Sequence, residues 1–191
     1  MPTLRAQLRI FRGTALKTVA ALLRSEYHEE RLFALLLLID AYQRGNADIQ
    51  RACYDLYLAH TAHINNWDLV DTSAPHIVGD FLAGRPRQVL YQLVVSPSLW
   101  ERRIAIIATF HFIRCNEFAD TLRLAEQLLG DTHDLMHKAV GWKLREVGKR
   151  DLATEEGFLL QHYRAMPRTM LRYAIERFPE ARRQAYLNGS A

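Results

Sequence analysis

Apolar side chains recur along most of this chain at steps of three and four residues, which is the spacing of one face of an α-helix. One such series is Leu32, Leu35, Leu36, Ile39 and Tyr42. The few Gly and Pro residues stand between these series, for example at Gly45 and Pro86, where turns are expected. The segment from Gln88 to Val95 has β-branched residues, but a lone strand would lack partners, so we predict a helix there too. The spacing predicts an all-α protein.

Length and composition exclude several classes of protein. The chain has 191 residues with 49% hydrophobic and 24% charged residues, which is typical of one soluble domain. Its longest apolar run, from Leu32 to Ile39, is too short to cross a membrane. The first residues lack a secretory signal, and two Cys provide neither a disulfide framework nor a four-ligand zinc site. We therefore predict a single cytoplasmic domain spanning residues 1–191.

The basic residues are mostly Arg, because only four of the 25 cations are Lys. Arg binds phosphate well, since its planar group donates two parallel hydrogen bonds and stays charged. Residues 99–191 contain 15 Arg or Lys against 12 Asp or Glu, whereas residues 1–98 contain 10 against nine. The formal net charge of +4 permits an anionic partner such as nucleic acid, but it fits a slightly basic, solvated surface equally well.

Five helical segments can be overlaid as a weak internal repeat. Their corresponding residues are Arg31, Trp67, Arg103, Lys138 and Arg172, which are 34 to 36 residues apart. Such a period with two helices per unit predicts a right-handed α-solenoid of antiparallel HEAT-like helix pairs, in which equivalent residues share one concave surface. Because four of the five residues are cationic, that surface would be basic. A chance alignment of amphipathic helices is the alternative interpretation.

The motif Asn65-Asn66-Trp67-Asp68-Leu69-Val70-Asp71 places an aromatic residue and a carboxylate on one helix face. Trp67 and Asp71 are four residues apart, while Leu69 and Val70 point toward the interior. An indole beside a carboxylate suits a cationic ligand, because both groups attract positive charge. Asp71 is followed by Thr72–Pro75, where we expect the helix to end and a new one to start. Alternatively, Trp67 is a core residue and Asp71 caps the following helix.

Two later motifs combine cations with aromatic residues. Trp100-Glu101-Arg102-Arg103 begins one helix, and a second helix carries the stripe Lys138, Trp142, Arg145 and Lys149. Gly141, next to Trp142, leaves space where another group could approach closely. Cations interleaved with an aromatic residue suit phosphate contacts combined with packing on sugar. A core Trp flanked by extended cationic side chains is the alternative.

Other candidates receive no functional role. The sequence contains no GxSxG, P-loop, GxGxxG or HExxH motif. The pairs His60/His63 and His133/His137 have metal-ligand spacing, but such pairs are more often surface or capping residues. Cys53 and Cys115 are interpreted as small buried hydrophobic residues. We therefore predict no metal and no cofactor.

Taken together, the motifs around Trp67–Asp71, Trp100–Arg103 and Lys138–Lys149 resemble those of the AlkD-type DNA alkylation repair glycosylases, a HEAT-like repeat family. Their order and spacing match as well as their residue types, and the resemblance covers nearly the whole chain. It implies an enzyme that hydrolyses the N-glycosidic bond of cationic N3- or N7-alkylated purines in duplex DNA without drawing the base into a pocket. It also implies a monomer in the bacterial cytoplasm or nucleoid, with no membrane partner.

The resemblance also implies a role for individual residues. Asp71 would be the carboxylate essential for catalysis, Trp67 and Trp142 would flank the lesion deoxyribose, and Arg103 would hold the backbone beside it. The remaining candidates for DNA binding are Arg102, Lys138, Arg145, Lys149, Arg168 and Arg172. Because no Lys adjoins Asp71, we expect a monofunctional glycosylase with no lyase step.

One departure concerns the start of the chain. Family members usually carry about forty more residues, roughly two helices, before this point. The segment Pro2-Thr3-Leu4-Arg5 resembles the end of a family segment whose front is missing. An alternative function therefore stays open, namely a non-catalytic HEAT-like module that binds DNA structure or a protein partner.

Overall fold

The computed structural model describes residues 7–191, and all regular secondary structure in this range is helical. The all-α prediction is thereby confirmed, including a helix at Gln88–Leu93. The chain folds as two compact units, Met1–Pro86 and Arg87–Ala191. The right-handed solenoid with a concave basic surface stays a prediction, and residues 2–5 lie outside the described range. No helix within residues 7–191 is long and apolar enough to span a bilayer.

The described part of the first unit includes four α-helices, a 3₁₀ turn and a π-helical turn. In chain order these are α1 (Leu16–Leu23), α2 (His28–Arg44), α3 (Ala47–Ala59), the 3₁₀ turn Thr61–His63, α4 (Trp67–Ala74) and the π-helical turn Pro75–Gly79. Helix α2 packs against α1, α3 and α4. It therefore forms the centre of this unit.

Helix α4 begins at Trp67 because the side chain of Asn66 accepts a hydrogen bond from the Trp67 backbone N–H at 2.7 Å. Leu69 and Val70 are fully buried, as the spacing predicted, and Ala74 is fully buried as well. Ser73 lies on the same face and hydrogen-bonds the buried hydroxyl of Tyr57 in α3 at 3.0 Å. Because this face is fixed in the core, the opposite face is the one left for ligands.

The sequence predicted that the helix carrying Asp71 ends and restarts near Pro75. Instead, α4 continues directly into the π-helical turn Pro75–Gly79. Proline lacks an N–H group, so it cannot donate to the carbonyl four residues earlier. Over this one turn the backbone hydrogen bonds span five residues instead of four, and the chain stays helical. Such π-helical turns often lie at functional sites.

The second unit contains eight α-helices and a 3₁₀ turn. These are α5 (Gln88–Leu93), α6 (Leu99–Ala108), α7 (Phe110–Arg114), α8 (Ala119–Gln127), α9 (Asp134–Gly148), α10 (Leu152–His162), α11 (Arg168–Ala174), the 3₁₀ turn Ile175–Arg177 and α12 (Glu180–Asn188). Helix α9 packs against α6, α7, α8, α10 and α11. The helix with the predicted cationic stripe is therefore central to this unit.

Gly141 lies at a close approach between α9 and α11. A Cβ atom at this position would overlap the backbone carbonyl oxygen of Met170 and would lie 2.6 Å from the Cβ of Tyr173. The space that the sequence indicated beside Trp142 is therefore occupied by the neighbouring helix. A side chain at residue 141 would push α11 away.

The two cysteines have different environments. Cys53 is fully buried in α3, and burial raises the pKa of its thiol to about 11. Cys115 is exposed, so the prediction that it is buried is wrong. Helix α7 ends at Arg114, and Cys115 is its C-terminal cap, followed by Asn116 with φ +60°. The reversal of the chain there turns the thiol toward solvent.

Glu155 in α10 is a buried carboxyl group, with 2% of its surface exposed. It packs against Gly148, where an added Cβ atom would overlap its Oε2. Among the described residues, its Oε1 has no hydrogen-bond partner. Burial, aided by the neighbouring Glu156, raises the pKa of Glu155 to about 8, against the opposing effect of Arg145.

This burial predicts a pH dependence of stability. The unfolded carboxyl group ionises near pH 4.5 and the folded one near pH 8. Between these values the unfolded state loses its proton first, so the free energy of unfolding falls as pH rises. Glu155→Gln removes this effect. As pH rises from about 5 to about 8, the free energy of unfolding of the variant should therefore increase by up to a few kcal/mol relative to that of wild type.

Urea unfolding of both proteins at the two pH values measures this difference. Glu126→Gln, which changes an exposed carboxyl group in α8, is the matched control and should retain the wild-type pH dependence. Parallel behaviour of Glu155→Gln and wild type would contradict the prediction.

Candidate functional site

The exposed face of α4 opens onto a cavity of about 430 Å³ in the first unit. Its lining comprises His28, Glu29, Leu32, Trp67, Asp68, Asp71 and Thr72. The Trp67 side chain is 53% exposed, which excludes the interpretation of this indole as a core residue. Asp71 is half-buried in the same wall. The structure thus brings together the two residues that the sequence placed on one helix face.

The first turn of α2 contributes a histidine to this cavity. His28 Nε2 lies 2.8 Å from Asp68 Oδ2, and both side chains are about one-third exposed. The other carboxylate oxygen of Asp68 accepts the backbone N–H of Leu69 at 2.9 Å. Asp68 is therefore held at both oxygens, and it in turn orients the imidazole.

Carboxyl groups dominate the electrostatics of the cavity. Glu29 from α2 joins Asp68 and Asp71 from α4, and the indole of Trp67 lies among them. Carboxylates and an aromatic face both attract positive charge. The cavity can therefore receive a cation, or a group that becomes cationic during a reaction.

Sequence reasoning missed His28 and Glu29 as site residues. The acidic side chains in the first turn of α2 are a recognisable signal, but acidic residues are common there because they suit the helix dipole. Nothing local connects residue 28 with residue 68, because the contact joins elements forty residues apart. Only the packing of α2 on α4 reveals it.

Trp142 belongs to the second unit and is held by three neighbours. Its Nε1–H donates to Glu146 Oε1 at 3.0 Å, Lys143 Nζ lies 3.1 Å from its ring centroid, and the Phe110 ring lies 5.9 Å away. The sequence had not identified Lys143, which is fully buried although it carries an amine. Trp142 is half-buried, and these three contacts fix its orientation.

The cations of the predicted stripe on α9 each have an acidic partner. Lys138 lies 2.6 Å from Asp134, Lys149 lies 2.6 Å from Glu146, and Arg145 pairs with Glu176. Although burial opposes it, the hydrogen bonds from Lys149 and Trp142 lower the pKa of Glu146. The side chains of Lys138 and Lys149 are about 40% exposed, so solvent still reaches them.

The two arginines of α6 differ in exposure. Arg102 bonds Asp131 at 2.7 Å and also the carbonyl of Ser96, with its side chain one-fifth exposed. Arg103 is only 4% exposed, and its Nη1 donates to the carbonyl of Leu135 in the first turn of α9 at 2.5 Å. The structure therefore places the Arg103 guanidinium against protein backbone.

The last two candidates lie on α11. Arg168 is exposed, and its Nη1 donates to the carbonyl of Leu187 at 2.6 Å. Arg172 is also exposed. Of the ten predicted site residues, Trp67 and Asp71 belong to the first unit and the other eight to the second.

The histidine pairs have local roles. His60 Nδ1 bonds the carbonyl of Leu56, His133 caps α9 by accepting the N–H of Leu135, and His137 bonds the carbonyl of Asp131. Within residues 7–191, no group of three or more His, Cys, Asp or Glu side chains is arranged to hold a metal ion. The interpretation of His133 as a capping residue is confirmed.

Comparisons with known proteins concern both the sequence and the fold. A sequence model of the family described as "DNA alkylation repair enzyme" matches residues 1–178. No curated protein matches the sequence. Among solved structures, the fold is similar to that of a chain described as "Predicted DNA alkylation repair enzyme from Enterococcus faecalis", with a TM-score of 0.72 and 15% identity. The match covers 94% of this chain and 82% of that one.

Proposed function

The chain belongs to the DNA alkylation repair enzyme family, and from that premise we propose that it is a monofunctional DNA glycosylase. The proposed substrates are cationic N3- or N7-alkylated purines in duplex DNA, and the reaction is hydrolysis of the N-glycosidic bond without drawing the base into a pocket. The observation that carries this proposal is the cavity in which Asp71 stands beside the exposed indole of Trp67.

The chemistry of the substrate explains why such a cavity suffices. An alkylated purine with a positive charge is already a good leaving group, so the protein need not protonate it. As the bond breaks, positive charge develops on the sugar instead. A fixed carboxylate stabilises this charge electrostatically. The face of Trp67 adds a cation–π contact of about 0.5–2 kcal/mol.

Residues of the second unit are proposed to hold the DNA. Trp142 would pack on a deoxyribose of the bound DNA with the part of its ring that solvent reaches. Because Arg103 is almost entirely buried, we propose that it acts mainly by holding α6 against the first turn of α9. Trp142 is carried by this same α9 helix.

The phosphate contacts are assigned to cations that solvent reaches. These are Arg102, Lys138, Arg145, Lys149, Arg168 and Arg172. Several already pair with carboxylates, so binding a phosphate would exchange one anionic partner for another. This exchange is favoured on DNA by the release of condensed counterions, and affinity should therefore fall as salt rises.

Hydrolysis is favoured over a lyase reaction. Among the described residues that line the cavity there is no lysine that could attack the sugar and form a Schiff base. Water is therefore the proposed nucleophile, and the products are the free base and an abasic site. We propose that one monomer carries out the reaction.

The proposal is tested by incubating the purified protein with methylated duplex DNA and measuring released bases. We expect release of 7-methylguanine or 3-methyladenine above the spontaneous rate. Duplex DNA containing uracil is the matched control, because this base is neutral and should not be released. Binding of methylated DNA with no base release would overturn the enzymatic proposal and support a non-catalytic binding module.

A further inference from the structure

The His28–Asp68 pair shares the cavity with Asp71, yet the proposed function gives it no task. His28 lies at the start of α2, and Asp68 lies in the first turn of α4 beside Trp67. Both line the cavity that contains Asp71. An imidazole held by a carboxylate at the edge of a reaction site is a common arrangement for proton transfer.

The hydrogen bond defines which nitrogen of His28 carries the proton. An ionised carboxylate can only accept hydrogen bonds, so Nε2, at 2.8 Å from Asp68, must be the donor. In the neutral imidazole the other nitrogen, Nδ1, is then the acceptor. Because Asp68 is itself fixed by the N–H of Leu69, the ring is held in this tautomer.

Among the described residues, the other charged groups that line the cavity with His28 are carboxyl groups. Glu29 comes from the same helix, and Asp68 and Asp71 come from α4, which packs against it. A proton that moves to the imidazole during the reaction would therefore lie close to negative charge, which attracts it. The pair can therefore take up a proton without placing a second uncompensated positive charge in the cavity.

We propose that His28, oriented by Asp68, accepts the proton of the water that attacks the sugar. This inference rests on the proposed glycosylase function and extends it by a second group. The water oxygen bonds to C1′ while the bond from C1′ to the purine breaks. The electron pair of that bond leaves with the purine, neutralising its charge, and the water proton passes to Nδ1 of His28. Solvent removes the proton afterwards.

A separate proton acceptor allows Asp71 to stay ionised during the reaction. Asp71 stabilises the cationic sugar only while its carboxylate is ionised. If it also took the proton of the water, its charge would disappear while the sugar still needed it. Transfer to His28 leaves the negative charge of Asp71 in place throughout. Asp68 is then a positioning residue, since it acts through His28.

The test is the single-turnover rate of 7-methylguanine release by wild type and His28→Gln over a range from about pH 5 to about pH 8. The side-chain nitrogen of Gln can replace Nε2 in the bond to Asp68, but it does not titrate. We expect a loss of about 10²-fold at the upper end of this range. The wild-type rate should fall on acidification as imidazole gains charge, and the variant should lack this fall.

Further variants separate a proton-transfer role from a structural one. His63→Gln changes a histidine of the same unit outside the cavity, and it should behave like wild type. Asp68→Asn should lower the rate, because a neutral amide binds the Nε2–H of His28 more weakly than a carboxylate does. The DNA affinity and the urea unfolding midpoint of His28→Gln should equal those of wild type.

The outcomes distinguish failure of this inference from failure of the function. Release by wild type together with an equal rate and pH profile for His28→Gln overturns the role of His28 alone. The role of His28 is also overturned if the release rate of His28→Gln is lower than that of wild type but still falls on acidification. No release by wild type overturns both. Release by wild type with a slow, pH-independent variant of normal DNA affinity supports the inference.

Discussion

Replacing Asp71 with Asn is expected to abolish measurable release of 7-methylguanine from methylated duplex DNA. Asn keeps the size of the side chain but removes its negative charge. Loss of a preorganised electrostatic contact to a developing charge typically costs about 10²–10³-fold in rate. Since positive charge develops on the sugar in the transition state, we expect Asp71→Asn to reach this range. Single-turnover release of the free base measures it.

The matched control for this substitution is Asp55→Asn. Asp55 is an exposed carboxylate of α3 that pairs with Arg51 in the same first unit, outside the cavity. It should retain wild-type activity. Both variants should also keep the wild-type helical circular dichroism, because Asp71 is half-buried at a surface and not in the core. Full activity in folded Asp71→Asn would remove this residue from the mechanism.

Gly141→Ala is expected to destabilise the protein by about 1–3 kcal/mol. In an open helix the same change would be favourable, because Ala has the higher helix propensity. Here the new Cβ atom would meet the backbone of α11 at Met170 and the Cβ of Tyr173. Backbone atoms cannot rotate away as a side chain can, so α9 and α11 must separate. The free energy of unfolding in urea measures the loss.

Gly157→Ala provides a control with the same chemistry and the opposite expected sign. Gly157 is exposed in the middle of α10, and an added Cβ atom would have no heavy-atom neighbour within 4 Å. This variant should gain roughly 0.5–1 kcal/mol, as the unfolded chain loses flexibility and the helix gains propensity. A destabilisation of similar size in both variants would contradict the close approach of α9 and α11 at Gly141.

The position of Gly141 shows how far local reasoning extends. The sequence indicated that something approaches closely beside Trp142, and the structure confirms a close approach. The approaching group is helix α11 of the same chain. A glycine in a helix indicates that another group can approach closely, but it does not indicate whether that group is a ligand or a neighbouring helix.

The candidate site could be predicted in part. The four-residue step from Trp67 to Asp71 placed both on one face of α4, and the apolar residues between them are indeed buried. Lys138, Trp142 and Arg145 of the predicted stripe were also placed correctly on one helix, α9, whereas Lys149 is the C-terminal cap just after it. The carboxylate partners of the stripe were not predicted, although Asp134 and Glu146 lie within one helical turn of the lysines that they pair with. The pairing of Arg145 with Glu176 could not be predicted, because Glu176 lies 31 residues later and only helix packing brings the two together. The burial of Lys143 against two aromatic rings was missed for the same reason.

The sequence by itself determined the helices, the buried face of α4 and the motifs that relate the chain to its family. These properties depend on residues within a few positions of one another, where the helical period fixes which side chains share a face. Only the tertiary structure decided that His28 meets Asp68, that Arg103 is buried and that Gly141 admits α11. Each of these contacts joins helices distant in sequence, so it depends on how whole apolar faces pack together.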